Sequence, residues 1–229
     1  VNLKKFDLIL DVGANIGNHS LYFSNFSKQV FSYEPNPNSF ELLKFNTKNL
    51  SNINIYNIGI SNKNENKFLN ESNFNIGDSA IVSSDEKKDI EKNNKTLHEI
   101  SSMKLDDLEH LSDEKISMIK IDVEQHEYEV MDGASKLIEK NQPVLIFEHN
   151  IETSKKQTLK INKFIKEKGY VIYLIKPNFN FFSNRFVKLI GGVIRLIIGE
   201  KLIFVKSDNL PYKNFPGFQL VLAIPKNKL

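Results

Sequence analysis

Acids and small residues recur in this chain where its apolar runs end. Asp11 closes the run 6–10 and opens Asp11-Val12-Gly13-Ala14-Asn15-Ile16-Gly17. Glu34 closes the next apolar run, about 20 residues on, a spacing that suits a carboxylate gripping the two hydroxyls of a ribose. Asp122, Glu124, His126 and Glu127 crowd behind Ile119-Lys120-Ile121, and Glu148, His149 and Asn150 follow the apolar run 143–147. Such groups accept hydrogen bonds, move protons or ligate metal ions. A glycine turn between an apolar strand and a helix start is also the geometry that presents backbone N–H groups to a small ligand.

The composition of that turn narrows the ligand. In the dinucleotide fingerprint G-x-G-x-x-G the middle glycine lets a pyrophosphate approach. Here that glycine is missing and Asp11 stands at the strand end. A carboxylate repels a pyrophosphate and suits a cation. S-adenosylmethionine carries a sulfonium and an ammonium and no phosphate, so it fits better than a nicotinamide dinucleotide. The plain alternative is a glycine turn that only shapes an α/β protein. The acids around 122–127 have two readings: a cofactor contact with an acid–base group for an acceptor hydroxyl, or a divalent metal site. Their plain alternative is a solvated helix N-terminus, where the dipole favours acids. His126 is the candidate base best matched to neutral pH, with Glu124 and Glu148 beside it.

These groups need elements to hold them. Apolar patterning predicts strands at 7–12, 30–33, 53–60, 117–123, 143–148 and 170–175. It predicts helices at 17–26, 38–48, 127–140 and 154–168, the last stopped by Gly169. Phe40, Leu43 and Phe45 form the expected buried stripe of the second helix. Segment 61–75 reads as loop, or as a hairpin around 67–69, and the charged stretch 83–95 as a solvated surface. Alternating strands and helices imply a mostly parallel sheet with helices on both faces. Two closing strands, 202–205 and 218–224, suggest an antiparallel C-terminal edge.

A chain of 229 residues with 40% apolar content and 17 Phe fits one α/β domain spanning 1–229. The net charge of +3 is spread along the chain, which argues against a nucleic-acid partner. The absence of cysteine excludes disulfides, thiolate metal sites and a cysteine nucleophile. No apolar leader stands before the first strand, so a cytoplasmic location is expected; the missing initiator Met fits a shortened start. Segment 179–199 carries apolar residues at helical spacing with Arg185, Lys188 and Arg195. It reads as a core or dimer helix pair, a lid within an insertion at 177–201, or a helix resting on an anionic inner membrane face. Its uncharged stretch falls well short of the roughly 20 residues that span a bilayer.

Five pieces in order resemble the FkbM family of S-adenosylmethionine-dependent methyltransferases. They are residues 11–23, 30–37, 104–108, 119–131 with Gly133-Ala134 after it, and 143–148. The resemblance implies a class I methyltransferase (Rossmann-like) fold. It implies that Asp11, Gly13, Ala14, Asn15 and Gly17 surround the methionine part of the donor and that Glu34 holds the ribose. It places Asp78 and Ser79 on a further loop by donor or acceptor. The acids at the sheet edge, read for themselves, put Asp122 by the donor and His126, Glu124 or Glu148 as the base. Members of the family are associated with O-methylation of sugars and of polyketide-type hydroxyls, so the expected partner is a small-molecule or glycan acceptor. Polysaccharide or glycolipid biosynthesis is the expected setting. Gln125 stands where the family's D-V-E-G-H-E piece has glycine. Were that position to need a positive φ, a glutamine there would be strained. This departure leaves a donor-binding module without catalysis as the second reading, and an NAD-dependent sugar-modifying enzyme as the third.

Overall fold

The structure, a computed structural model, describes residues 6–70, 80–82, 97–123, 125–150, 155–177, 202–211 and 218–229. An eight-stranded sheet forms its centre. Strands β1 (Phe6–Val12), β2 (Ser27–Tyr33), β3 (Ile53–Tyr56), β8 (Ile116–Ile121) and β9 (Val144–Asn150) run parallel. Strands β10 (Tyr170–Pro177), β11 (Leu202–Ser207) and β12 (Phe218–Pro225) add an antiparallel edge, with β12 inserted between β9 and β10. The order is β11-β10-β12-β9-β8-β1-β2-β3. The chain leaves β1 toward β2 on one side and returns as β8 on the other. That reversal opens a crevice at the C-terminal ends of β1 and β8, where open α/β sheets bind ligands. The Rossmann-like class expected from the sequence is therefore the observed one.

Strand alternation splits the chain between two apolar layers. Leu8, Leu10 and Val12 of β1 join a large core with helices α3 (Glu127–Gly133), α4 (Ser135–Asn141) and α5 (Lys155–Glu167). Ile9 faces the other way with Val30, Met118 and Phe23 of helix α1 (Asn18–Phe23). Helix α2 (Pro37–Thr47) is capped by Asn36, whose side chain accepts from the Asn38 and Ser39 N–H groups. Its Leu43 packs against Gly17. Phe45, by contrast, is exposed, so the expected three-residue stripe shrinks to Leu43 and the half-buried Phe40.

Three expected elements differ from those observed. The strand expected over 53–60 is two strands in two sheets. The Asn57 side-chain amide donates to the Glu34 and Pro35 carbonyls and turns the chain away after Tyr56. It then enters a second sheet of β4 (Gly59–Ile60), β5 (Glu65–Asn70), β6 (Ala80–Val82) and β7 (Leu97–Met103), in the order β4-β7-β5-β6. Segment 61–75, read as loop or as a hairpin around 67–69, contains β5, which pairs antiparallel with β6 and so agrees with the hairpin reading. The helix expected over 127–140 breaks at Ala134, with φ −112° and ψ 12°. The Asp106 carboxylate accepts from the Lys136 and Leu137 N–H groups and starts a fresh helix there. The first helix ends at Phe23 rather than 26, because Ser24, Asn25 and Ser27 side chains bond the last-turn carbonyls.

Residues 83–95, Asp78, Ser79, Glu124 and the segment 179–199 lie outside the described residues. Among the described residues no helix is long and apolar enough to cross a membrane.

Gly133 joins the two sheets. A Cβ there would stand 2.0 Å from the Ser61 carbonyl oxygen, on the bridge between β4 and β5. Gly133→Ala should therefore cost about 1–3 kcal/mol, the usual range for overpacking. Urea unfolding measures it; an unchanged midpoint would refute this contact.

Candidate active site

The turn after β1 takes its shape from three left-handed residues, Gly13 (φ 74°), Asn15 (φ 50°) and Gly17 (φ 94°). Asparagine tolerates that region better than most residues. At Gly13 a Cβ would fall 1.9 Å from the Asp122 carbonyl oxygen, so the glycine lets the turn close onto the end of β8. At Gly17 it would fall 2.7 Å from Leu43 Cδ1. Four of the N–H groups expected to face a ligand have partners within the fold. Gly13 and Ala14 both donate to the Tyr33 carbonyl at 3.0 Å, and Gly17 donates to Ala14. Asn15 N donates to Glu34 Oε2 at 2.8 Å. What the turn leaves open is an acceptor: Asn15 Oδ1 is buried and, among the described residues, has no hydrogen-bond partner.

Asp11 is fully buried beneath the turn. Ser20 Oγ donates to its Oδ2 at 2.6 Å and also lies 2.8 Å from Ser32 Oγ. Lys120 Nζ stands 3.0 Å from Asp11 Oδ1. The same ammonium donates to the Gly13 carbonyl at 2.8 Å and lies 3.4 Å from Asp122 Oδ2. Burial pulls Lys120 toward neutrality, but the Asp11 and Asp122 carboxylates outweigh it and hold its pKa above the ordinary value. The carboxylate expected to face a cationic ligand thus already faces a protein cation. Lys120 was not among the sequence-derived candidates. Its signal was a lone lysine inside the apolar run Ser117-Met118-Ile119-Lys120-Ile121, where a strand side chain must be buried.

Glu34 is buried at the end of β2. Its Oε2 accepts from Asn15 and its Oε1 from Asn36 N at 2.8 Å. Burial raises its pKa despite both N–H groups. Each oxygen still has a second lone pair for a ligand hydroxyl. Asp11, Gly13, Ala14, Asn15, Gly17, Glu34 and Asp122 therefore gather at one end of the sheet.

The catalytic candidates separate. Glu148 is half-buried at the C-terminal end of β9, beside Leu220 of β12. His149 points to the opposite sheet face, is buried, and lies 2.8 Å from the Pro211 carbonyl through Nε2. His126 sits at the N-cap of α3, turned toward the second sheet. Lys67 Nζ donates to Ser61 Oγ at 2.9 Å, and Ser61 Oγ lies 2.9 Å from His126 Nε2. The serine oxygen thus links the ammonium to the imidazole, whose other nitrogen, Nδ1, lies 3.8 Å from Glu129 Oε2. Burial and the Lys67 charge pull its pKa down to about 4. The expectation of an open base at His126 is corrected: both ring nitrogens face protein groups. Among the described residues no three His, Asp or Glu side chains gather into a metal-binding group.

Gln125 has φ 67°, in the left-handed region. Its side chain is exposed, its N–H donates to Glu127 and its carbonyl accepts from Gln157. The glutamine keeps a glycine-type backbone and points away from the fold.

A family model of the Methyltransferase FkbM domain matches residues 11–172. No curated protein matches the chain. Among solved structures, Methyltransferase FkbM from Methylobacillus flagellatus KT is 18% identical with a TM-score of 0.52, over 74% of this chain. The chain spans only 40% of that protein's length. An rRNA methylase from Streptococcus thermophilus is 10% identical with a TM-score of 0.48, covering 98% of this chain and 90% of its own. Precorrin-6y C5,15-methyltransferase from Geobacter metallireducens GS-15 is 12% identical with a TM-score of 0.45, covering 98% and 84%.

Two outcomes follow from the site. The folded pKa of His126 lies below its ordinary 6.5, so the stability it confers is complete above pH 6.5 and is lost as pH falls toward 4. Between pH 7 and pH 4 the wild type should lose about 3 kcal/mol more than His126→Gln in denaturant titrations. Equal losses would show that the imidazole is not held neutral. Gln125→Gly should raise stability by up to about 1 kcal/mol, the left-handed strain less glycine's added chain entropy; a fall would contradict the strain.

Proposed function

We propose that this chain, which belongs to the FkbM methyltransferase family, transfers the methyl group of S-adenosylmethionine to a hydroxyl oxygen, of a sugar in a polysaccharide or glycolipid precursor. The observation that carries the donor is the closed turn with its unfilled acceptor, Asn15 Oδ1, inside a cluster of three carboxylates and one ammonium. Such a cluster leaves net negative charge for a cationic ligand and an acceptor for its N–H or O–H groups. The residues present therefore fit the donor. When bound, it supplies a methyl group already activated on a sulfonium.

The chain's own part is then to bind, orient and accept a proton. Glu34 receives the ribose hydroxyls on its remaining lone pairs, and Asn15 and Asp122 hold the polar end of the donor. The acceptor oxygen gains the methyl group and gives up its proton. Among the described residues Glu148 is the candidate at the sheet edge for that proton, and alignment contributes most of the rate. His126, held by Ser61, supports this edge from below. The exposed Gln125 side chain, on a backbone that keeps the left-handed turn, supports a working enzyme over a module that only binds. The sugar acceptor rests on the family resemblance.

Calorimetry with S-adenosylhomocysteine tests the donor. The wild type should bind, and Glu34→Ala should bind roughly tenfold or more weakly, the loss of a charge-assisted hydrogen bond. No binding by the wild type, or unchanged binding by the variant, would sink the donor site. Labelled donor offered with a panel of glycans and polyketide-type alcohols tests the acceptor, and label retained only by the alcohols would overturn the sugar.

A further inference from the structure

Lys120 has more partners than a counter-ion for Asp11 requires. It lies in β8 between Ile119 and Ile121, both fully buried in the large core, so its own side chain points to the opposite face with Met118. A methionine would fill that space without desolvating a charge. The lysine instead reaches three acceptors on three separate pieces of chain: Asp11 at the end of β1, the Gly13 carbonyl in the turn, and Asp122 beyond β8. One contact is a hydrogen bond, to the Gly13 carbonyl, and the other two are ion pairs with the carboxylates. Only Asp11 is sealed inside; the Asp122 side chain is 36% exposed at the sheet edge.

The Gly13 carbonyl matters because of its neighbours. Gly13 is the residue that lets the turn close onto the Asp122 backbone, and its φ of 74° allows many peptide orientations. A charge-assisted bond to its carbonyl selects one. The same ammonium draws the Asp122 carboxylate back toward the sheet against repulsion from Asp11 and Glu34. We infer that Lys120 is a positioning residue for the methyl donor, fixing the Gly13 peptide and aiming Asp122, beyond its role as partner to Asp11. This inference rests on the donor site proposed above.

Removing Lys120 alone would strand a buried carboxylate, so the test uses a matched pair. Asp11→Asn and the double variant Asp11→Asn/Lys120→Met both lack the buried carboxylate, and only the second lacks the tether. Their melting temperatures should agree within a few degrees. The double variant should bind S-adenosylhomocysteine roughly tenfold more weakly than Asp11→Asn, with a raised KM for the donor and a retained kcat. Equal affinity in the two variants would reduce Lys120 to a counter-ion and overturn the inference alone. Absence of binding by the wild type would instead sink the donor site, and this inference with it. Should the double variant fail to fold, Asp11→Asn/Lys120→Gln takes its place, because it too lacks the ammonium that reaches the Gly13 carbonyl. Weaker binding than Asp11→Asn at a similar melting temperature supports the positioning role, and equal binding overturns it.

Discussion

An ammonium and a carboxylate sealed together under a turn constrain everything built above them. Taking either ion out of water costs several kcal/mol even after relaxation, and their attraction offsets this only when further hydrogen bonds complete the geometry. Around Lys120 and Asp11 those bonds come from Ser20 of α1 and from the Gly13 carbonyl, and Asp122 adds a second ion pair. Strand β1 cannot slide against β8 without separating the pair, because a one-residue slip would turn Asp11 or Lys120 into the apolar core. The observed register sets Asp11 opposite Lys120 and Leu10 opposite Ile119. Charge here fixes register, and register brings the turn after β1 level with Asp122.

The second sheet supports the same edge by other means. It lies in the connection between β3 and β8. Its contacts with α3 include a backbone contact, Gly133 on Ser61, and a polar chain, Lys67 to Ser61 to His126. The imidazole stays neutral because Lys67 supplies the positive charge of that chain and burial disfavours a second. Asp106 adds a third link by starting α4 from the turn after β7. Helix α3 therefore begins and ends on groups of the second sheet, and the stretch joining β8 to α3, which holds Asp122 and Gln125, is pinned at both ends.

Much of this was legible in the sequence wherever period and turn chemistry agreed. The parallel strands are continuous apolar runs, which is what burial on both faces demands. Asp11–Gly17 and Glu34 marked the C-terminal edge of the sheet because glycine, asparagine and acids have few reasons to cluster elsewhere. Two things were hidden. Strand β5 shows polar side chains to solvent, so its alternation is faint and could not decide between loop and hairpin, and the break at Ala134 depends on Asp106, some thirty residues earlier. His126 misled for a related reason. Its residue type suits a base, but its surroundings come from Ser61 and Lys67, which only the folded chain brings near it. The side chain that the strand pattern should have exposed as anomalous was Lys120.

Charge makes the last link between the buried pair and the ligand. Three carboxylates, Asp11, Asp122 and Glu34, stand near one ammonium, and Glu34 resists ionisation because burial outweighs the N–H groups it accepts. A ligand cation near Asp122 would stabilise the charged form of Glu34 as well as its own binding. Without Lys120 the same three acids would repel one another, and the cheapest escape would be protonation or an outward swing of Asp122, the most exposed of them. The lysine thus holds the negative charge of this edge low enough to be stable and high enough to favour a cation. The first residue of the motif, Asp11, contributes by anchoring that lysine from beneath rather than by meeting the ligand.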